Sequence, residues 1–221
     1  MDMQVILGAF TLFIALAISI GFHEAAHAYT AKWLGDNTAE KLGRTTLNPL
    51  PHLAPMGIFI PVLLALMQIP ILFGWGKPVP VQLDKLRYGR VGHLLVSIAG
   101  PVTNLILCFI CVLMMAIYEQ SFKEAIPEPH LLYPIVKLVG LMIYLNAILA
   151  VFNLIPLPPL DGGAILPLIL PKGIRDFFDD YIAPYGFFLF LALAMSGKMN
   201  WIWQAASGYI KIVQDLVKSI L

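Results

Sequence analysis

Apolar positions along this chain gather into long, nearly unbroken runs at approximately 4–31, 91–118, 131–155 and 182–197. A helix needs about 20 apolar residues to cross a hydrocarbon core of about 30 Å, so these runs predict about four transmembrane helices. A fifth stretch, Leu53 to Trp75, is equally apolar but is interrupted by Pro55, Pro61 and Pro70, with Gly57 and Gly74 near its ends. A straight helix tolerates internal prolines badly, because each removes a backbone donor and crowds the preceding turn. The strip that follows, Gly76-Lys77-Pro78-Val79-Pro80-Val81, is kept extended by its prolines. In the tail, 199–221, apolar residues recur at steps of four and three: Ile202, Ala206, Tyr209, Val213, Leu216 and Ile220. Lys211, Asp215 and Lys218 take other faces, which predicts an amphipathic helix lying on the membrane or against the bundle.

Composition agrees with this pattern. The chain has 221 residues, 59% hydrophobic and 12% charged, with a mean hydropathy of +0.83. Soluble domains carry about 25% charged residues. The expected fold is therefore an all-α polytopic membrane protein, a single membrane domain over 1–221. It comprises the four spans, a re-entrant segment, a short extended strip and the amphipathic C-terminal helix. A net charge of +1 gives no support for nucleic-acid binding. Asp2 is the one early charge, so the first run reads as a span rather than a cleaved leader. Cys108 and Cys111 share one apolar helix and read as small apolar side chains. His93 and His130 fall at span ends and read as interfacial, and Trp33, Trp75, Trp201 and Trp203 as interface anchors.

Charge sets the expected topology, because short loops rich in Lys and Arg stay in the cytoplasm. Basic residues flank the proline-broken stretch on both sides: Lys32, Lys41 and Arg44 before it, Lys77, Lys85, Arg87 and Arg90 after it. A simple span would export one of those clusters. A segment that enters and leaves on the cytoplasmic face keeps both inside, and irregular backbone at that depth is allowed where protein or a watery cavity covers it; a helix spanning fully over 53–75 is the alternative. The loop 119–130, with Glu119, Glu124 and Glu128, then lies outside, and Lys172 and Arg175 inside.

Chemistry concentrates in the first span, where His23, Glu24 and His27 spell H-E-x-x-H. Residues four apart share a helix face, so the two imidazoles can grip one metal ion, with Glu24 beside them. Ionisable groups in hydrocarbon are costly and usually functional. A catalytic zinc takes three protein ligands as a rule. Asp36, Glu40 and Asp84 lie in nearby loops. Asp161 stands apart, because Pro158-Pro159-Leu160-Asp161-Gly162-Gly163 is a turn that fixes a side chain and admits close backbone approach.

H-E-x-x-H in a membrane helix, followed by N-x-x-P-x-x-x-x-D-G from Asn153, resembles the site-2 proteases, which are zinc intramembrane metalloproteases. Ala99-Gly100-Pro101 and the NPLPH…GWGKPVPV region resemble the compact bacterial and archaeal branch without a PDZ domain; Ala54 stands where an acidic residue is expected in that branch. The resemblance implies one Zn2+ held by His23, His27 and Asp161, with Glu24 as general base. It implies a transmembrane protein or peptide as substrate, cut within or near the lipid bilayer. The expected location is the cell membrane, with the site near the cytoplasmic side. Asn153 is the candidate donor to a developing oxyanion, with Asn104 and His52 as further candidates. A metal transporter would be expected to show inverted repeats with matched broken helices, and the sequence shows none.

Overall fold

The computed structural model describes residues 2–69, 74–122 and 132–221. Pro70, Lys123, Glu124, Glu128 and His130 lie outside them. The described residues form nine α-helices: α1 (Met3–Trp33), α2 (Thr38–Lys41), α3 (Pro55–Leu66), α4 (Arg90–Ser121), α5 (Tyr133–Asn153), α6 (Asp161–Ile169), α7 (Lys172–Phe177), α8 (Gly186–Met195) and α9 (Asn200–Ile220). Four helical segments are long and apolar enough to cross a membrane: α1, α4, α5 and the run Lys172–Met195. The chain is thus a multi-pass helical membrane protein.

α1, α4 and α5 pack on one another. Along α1 the buried positions include Leu12, Ala15, Leu16, Ser19, Ile20, His23 and His27, spaced for one face. Fully buried Ala15, Ala28 and Ala31 keep that face narrow and let neighbouring backbones approach. The shared core joins Leu16 and Ile20 of α1, Cys108 and Val112 of α4, and Met142 and Ile143 of α5.

The proline-broken stretch does turn back. α3 has 12 residues, which cover only about 18 Å. Leu53 and Gly76 form an antiparallel bridge, and the Lys77 amide donates to the His52 carbonyl at 2.7 Å. The two ends of the segment therefore lie side by side. Gly57 makes this possible, since a Cβ there would meet the Trp75 carbonyl oxygen at 2.0 Å. Ala54 occupies the N-cap position of α3 without a side-chain cap, so the departure noted at this residue costs a helix cap.

Two elements differ from the sequence reading. The last span begins at Lys172, not 182, because α7 runs through a π turn (Phe178–Ile182) and a 3-10 turn (Ala183–Tyr185) into α8. The charged residues at 172–180 fall before the expected span, yet the helix carries them exposed or half-exposed while Phe178 is buried. The tight turn absorbs Pro184. In α9 the buried stripe is Ile202, Ala206, Ile210, Val213 and Val217. Leu216 and Ile220, expected on that face, are exposed. α9 packs against α4 and α5, and the Tyr209 hydroxyl donates to the Leu105 carbonyl at 2.9 Å.

Candidate metal centre

His23 and His27 project from one face of α1 towards Asp161, the first residue of α6. Three groups that carry lone pairs meet there. His23 Nε2 lies 3.1 Å from His27 Nε2 and 3.2 Å from Asp161 Oδ2, and His27 Nε2 lies 3.4 Å from Asp161 Oδ1. The outer ring nitrogens fix what these contacts are. His27 Nδ1 is 2.7 Å from the Val96 carbonyl, and His23 Nδ1 is 2.7 Å from Asn104 Oδ1. Both partners are acceptors, so each Nδ1 carries a proton, and each ring in its neutral form presents a bare lone pair at Nε2. The inward contacts are then acceptor against acceptor, and buried Asp161 Oδ2 has no hydrogen-bond partner among the described residues.

That arrangement fits a cation. Zinc binds His nitrogen and carboxylate oxygen at about 2.0–2.2 Å in a tetrahedron, which sets ligand atoms about 3.3 Å apart. The three separations match that spacing, and the donor set suits zinc. The outer bonds to Val96 and Asn104 are the orienting contacts that metal-ligating histidines require.

Local sequence explains the assembly. Gly100 of α4 lies against both rings: a Cβ there would sit 2.4 Å from His27 Nε2 and 2.6 Å from His23 Nε2. Pro101 removes the N–H that the Ser97 carbonyl would take, next to the turn that serves His27. At Asp161 the two glycines admit the loop, because a Cβ on Gly162 would meet the Ile155 oxygen at 2.3 Å and one on Gly163 the Pro158 nitrogen at 2.3 Å.

The centre opens into a cavity of about 930 Å³, walled by Glu24, Gly76, Val79, Val81, Phe152 and Asn153. Glu24 is half-buried and is pressed by Gly76, where a Cβ would meet its Oε1 at 2.7 Å. The strip 77–82 is held at both ends by buried charged side chains. Arg44 donates to the Lys77 and Pro78 carbonyls, and Asp36 Oδ2 accepts from the Gln82 amide at 2.7 Å.

Among the expected site residues, His23, His27, Glu24, Asp161 and Asn153 reach this cavity. The Asn153 Nδ2 group donates to the Leu149 carbonyl at 3.0 Å. Two candidates do not reach it. Asn104 is fully buried behind His23, and His52 is spent on Arg44 and on the Thr46 carbonyl at 2.9 Å. His93, read as interfacial, lines the cavity. Sequence reasoning missed Asn104 as a partner of a ligand, and it missed Gly100. The A-G-P motif marked the place without saying what it touches.

A bundle of apolar helices around a buried two-histidine, one-aspartate centre with an adjacent glutamate defines a membrane metalloprotease. The sequence model of peptidase family M50 matches residues 81–195, and the chain belongs to that family. A Bacillus subtilis (strain 168) protein named putative zinc metalloprotease YwhC is 40% identical over 185 residues, covering 82% of this chain and 78% of its own length. The putative zinc metalloprotease Rip2 of Mycolicibacterium smegmatis is 33% identical, over 89% of this chain and 72% of itself. The zinc metalloprotease MJ0392 of Methanocaldococcus jannaschii is 32% identical over 73% of this chain, but that match spans 34% of the longer relative. No solved structure matches the chain.

Proposed function

We propose that this protein is an intramembrane zinc endopeptidase that hydrolyses peptide bonds of transmembrane substrates near the cytoplasmic side of the cell membrane. The observation that carries the reading is the convergence of three bare acceptors on one point, with Glu24 on the wall of the same cavity. His23, His27 and Asp161 would hold the ion. Bound there, zinc would polarise a carbonyl and lower the pKa of a water. Glu24 accepts that water's proton at its carboxylate and later delivers it to the leaving amine. One Nδ2 hydrogen of Asn153 is held by the Leu149 carbonyl, and the other would donate to the oxygen on which charge develops.

The wall of the cavity suits an extended peptide. Pro78 and Pro80 have no N–H, and the Val79 and Val81 amides have no hydrogen-bond partner among the described residues. In an extended strip those two amides point the same way. A substrate unwound from its helix would pair with them as an added strand.

Both arms of the test use the full-length protein. Reconstituted wild type should bind one zinc per chain, and Glu24→Gln should keep the zinc while losing cleavage. Membrane proteomics of wild-type and Glu24→Gln cells should then show a single-pass protein that accumulates uncut in the variant. Cleavage that persists in Glu24→Gln, or wild type that takes up no zinc, would refute the assignment.

A further inference from the structure

Behind His23 lies a closed chain of polar side chains inside the core. Asn104 Oδ1 accepts from His23 Nδ1, and Asn104 Nδ2 donates to Asn146 Oδ1 at 2.8 Å and to the Ser19 carbonyl at 3.3 Å. Asn146 Nδ2 donates in turn to Ser19 Oγ at 2.9 Å and to the Met142 carbonyl at 2.9 Å. Ser19, Asn104 and Asn146 are each 0% exposed, and they come from α1, α4 and α5.

The direction of this chain is fixed by its ends. A backbone carbonyl can only accept. The Met142 carbonyl therefore commits Asn146 to present Nδ2 there and Oδ1 to Asn104, and the Ser19 carbonyl commits Asn104 the same way. A reversed Asn104 would set its oxygen against the Ser19 carbonyl, a buried acceptor pair without a proton. It would also turn Nδ2 towards His23 Nδ1, which would then have to accept, moving the ring proton to Nε2. A histidine in that form has no lone pair for the ion.

We infer that Asn146 and Ser19 are positioning residues for the metal centre. Through Asn104, they hold His23 in the one orientation and tautomer whose Nε2 can ligate. Asn146 bonds to no ligand and does not line the cavity, so it would act entirely through its neighbour. Such orienting partners usually change metal affinity 10- to 100-fold, that is by roughly one to two decades. The inference rests on the proposed zinc site.

Zinc affinity of the full-length protein in detergent, by chelator competition, is the first readout. The second is the nitrogen-15 spectrum of His23 with zinc bound, which shows whether the ring keeps its Nδ1 proton and ligates through Nε2. Wild type should do both. Asn146→Leu, close in volume but without donors or acceptors, should bind zinc about tenfold more weakly and lose part of that signature. Ser19→Ala keeps the backbone carbonyl that Asn104 meets and removes only the Oγ that holds Asn146, so it should move both readouts the same way, with about threefold weaker binding. If Asn146→Leu does not fold, Ser19→Ala decides alone. Wild-type affinity and tautomer in the folded variants, with only the thermal midpoint lowered, would overturn the inference and reduce the network to packing. Wild type that binds no zinc would instead sink the proposed function, so the two failures are distinguishable.

Discussion

Gly100→Ala adds one methyl group directly against both imidazoles. The new carbon would lie 2.4 Å from His27 Nε2, 2.5 Å from His23 Cε1 and 2.6 Å from His23 Nε2, whereas real Cβ atoms keep at least 3.0 Å. The rings must retreat by about 0.6 Å, or α4 must lift from α1. Metal sites tolerate about 0.2 Å in ligand distance, so neither adjustment preserves the centre. Overpacking of this kind costs about 1–3 kcal/mol in stability. Zinc affinity should fall at least about tenfold, the scale on which misoriented ligands act. Gly140→Ala is the matched control, because its Cβ would meet only the Met115 methyl at an ordinary 3.6 Å. Chelator competition and the thermal midpoint, read side by side, give the answer. Gly100→Ala protein with wild-type zinc affinity and stoichiometry would show that the rings do not converge as described.

Gly76→Ala should push on Glu24 without touching the ligands, since its Cβ would lie 2.7 Å from Glu24 Oε1 and 2.8 Å from Ile20 Cγ2; turnover should drop with zinc content unchanged, and an unchanged kcat would contradict this. Arg44→Lys should loosen the strip, because a point charge cannot span the Lys77 and Pro78 carbonyls as a guanidinium does; KM for a cleavable peptide should rise more than kcat falls, and the reverse split would argue against a docking edge. Burial pushes the Asp36 carboxyl up, but hydrogen bonds from the Thr38 hydroxyl and from the Gln82 and Thr38 amides outweigh it and hold the group below its ordinary range. A depressed carboxyl stabilises the fold above its unfolded value, about 3.9, and that stability is lost as pH falls through the folded value. Wild type should therefore melt above Asp36→Asn near neutral pH, with the gap closing in acid; a gap independent of pH would count against the anchor.

Much of this fold was legible because membrane constraints are severe. Apolar runs long enough to cross a bilayer announced α1, α4 and α5. Prolines at 55 and 61, between two basic clusters, announced a segment that returns to its own side. The candidate site was legible for a related reason: His23, Glu24 and His27 are too costly in hydrocarbon to be incidental. What stayed hidden depends on contacts between distant residues. Asn104 is 81 positions from His23, and nothing local says that its amide faces a ring instead of a substrate. The stripe on α9 was misplaced because Tyr209 and Leu216 continue the apolar spacing as well as Ile210 and Val217 do. Only the docked neighbours α4 and α5 choose between them. The start of the last span was hidden by charges that a helix can carry on its outward face.

α4 contributes none of the three candidate ligands, yet each of them depends on it. It steadies one imidazole through Asn104 and the other through the Val96 carbonyl, and it packs along α6, which carries Asp161. Arg90, its first residue, ties down the far end of α6 through the Pro167 and Leu168 carbonyls at 3.2 and 2.7 Å. The aromatic wall between Phe152 and Phe190 and the strip opposite belong to other elements. The surfaces that line the cavity and the helix that braces the three side chains are therefore different elements, so a change in one need not disturb the other.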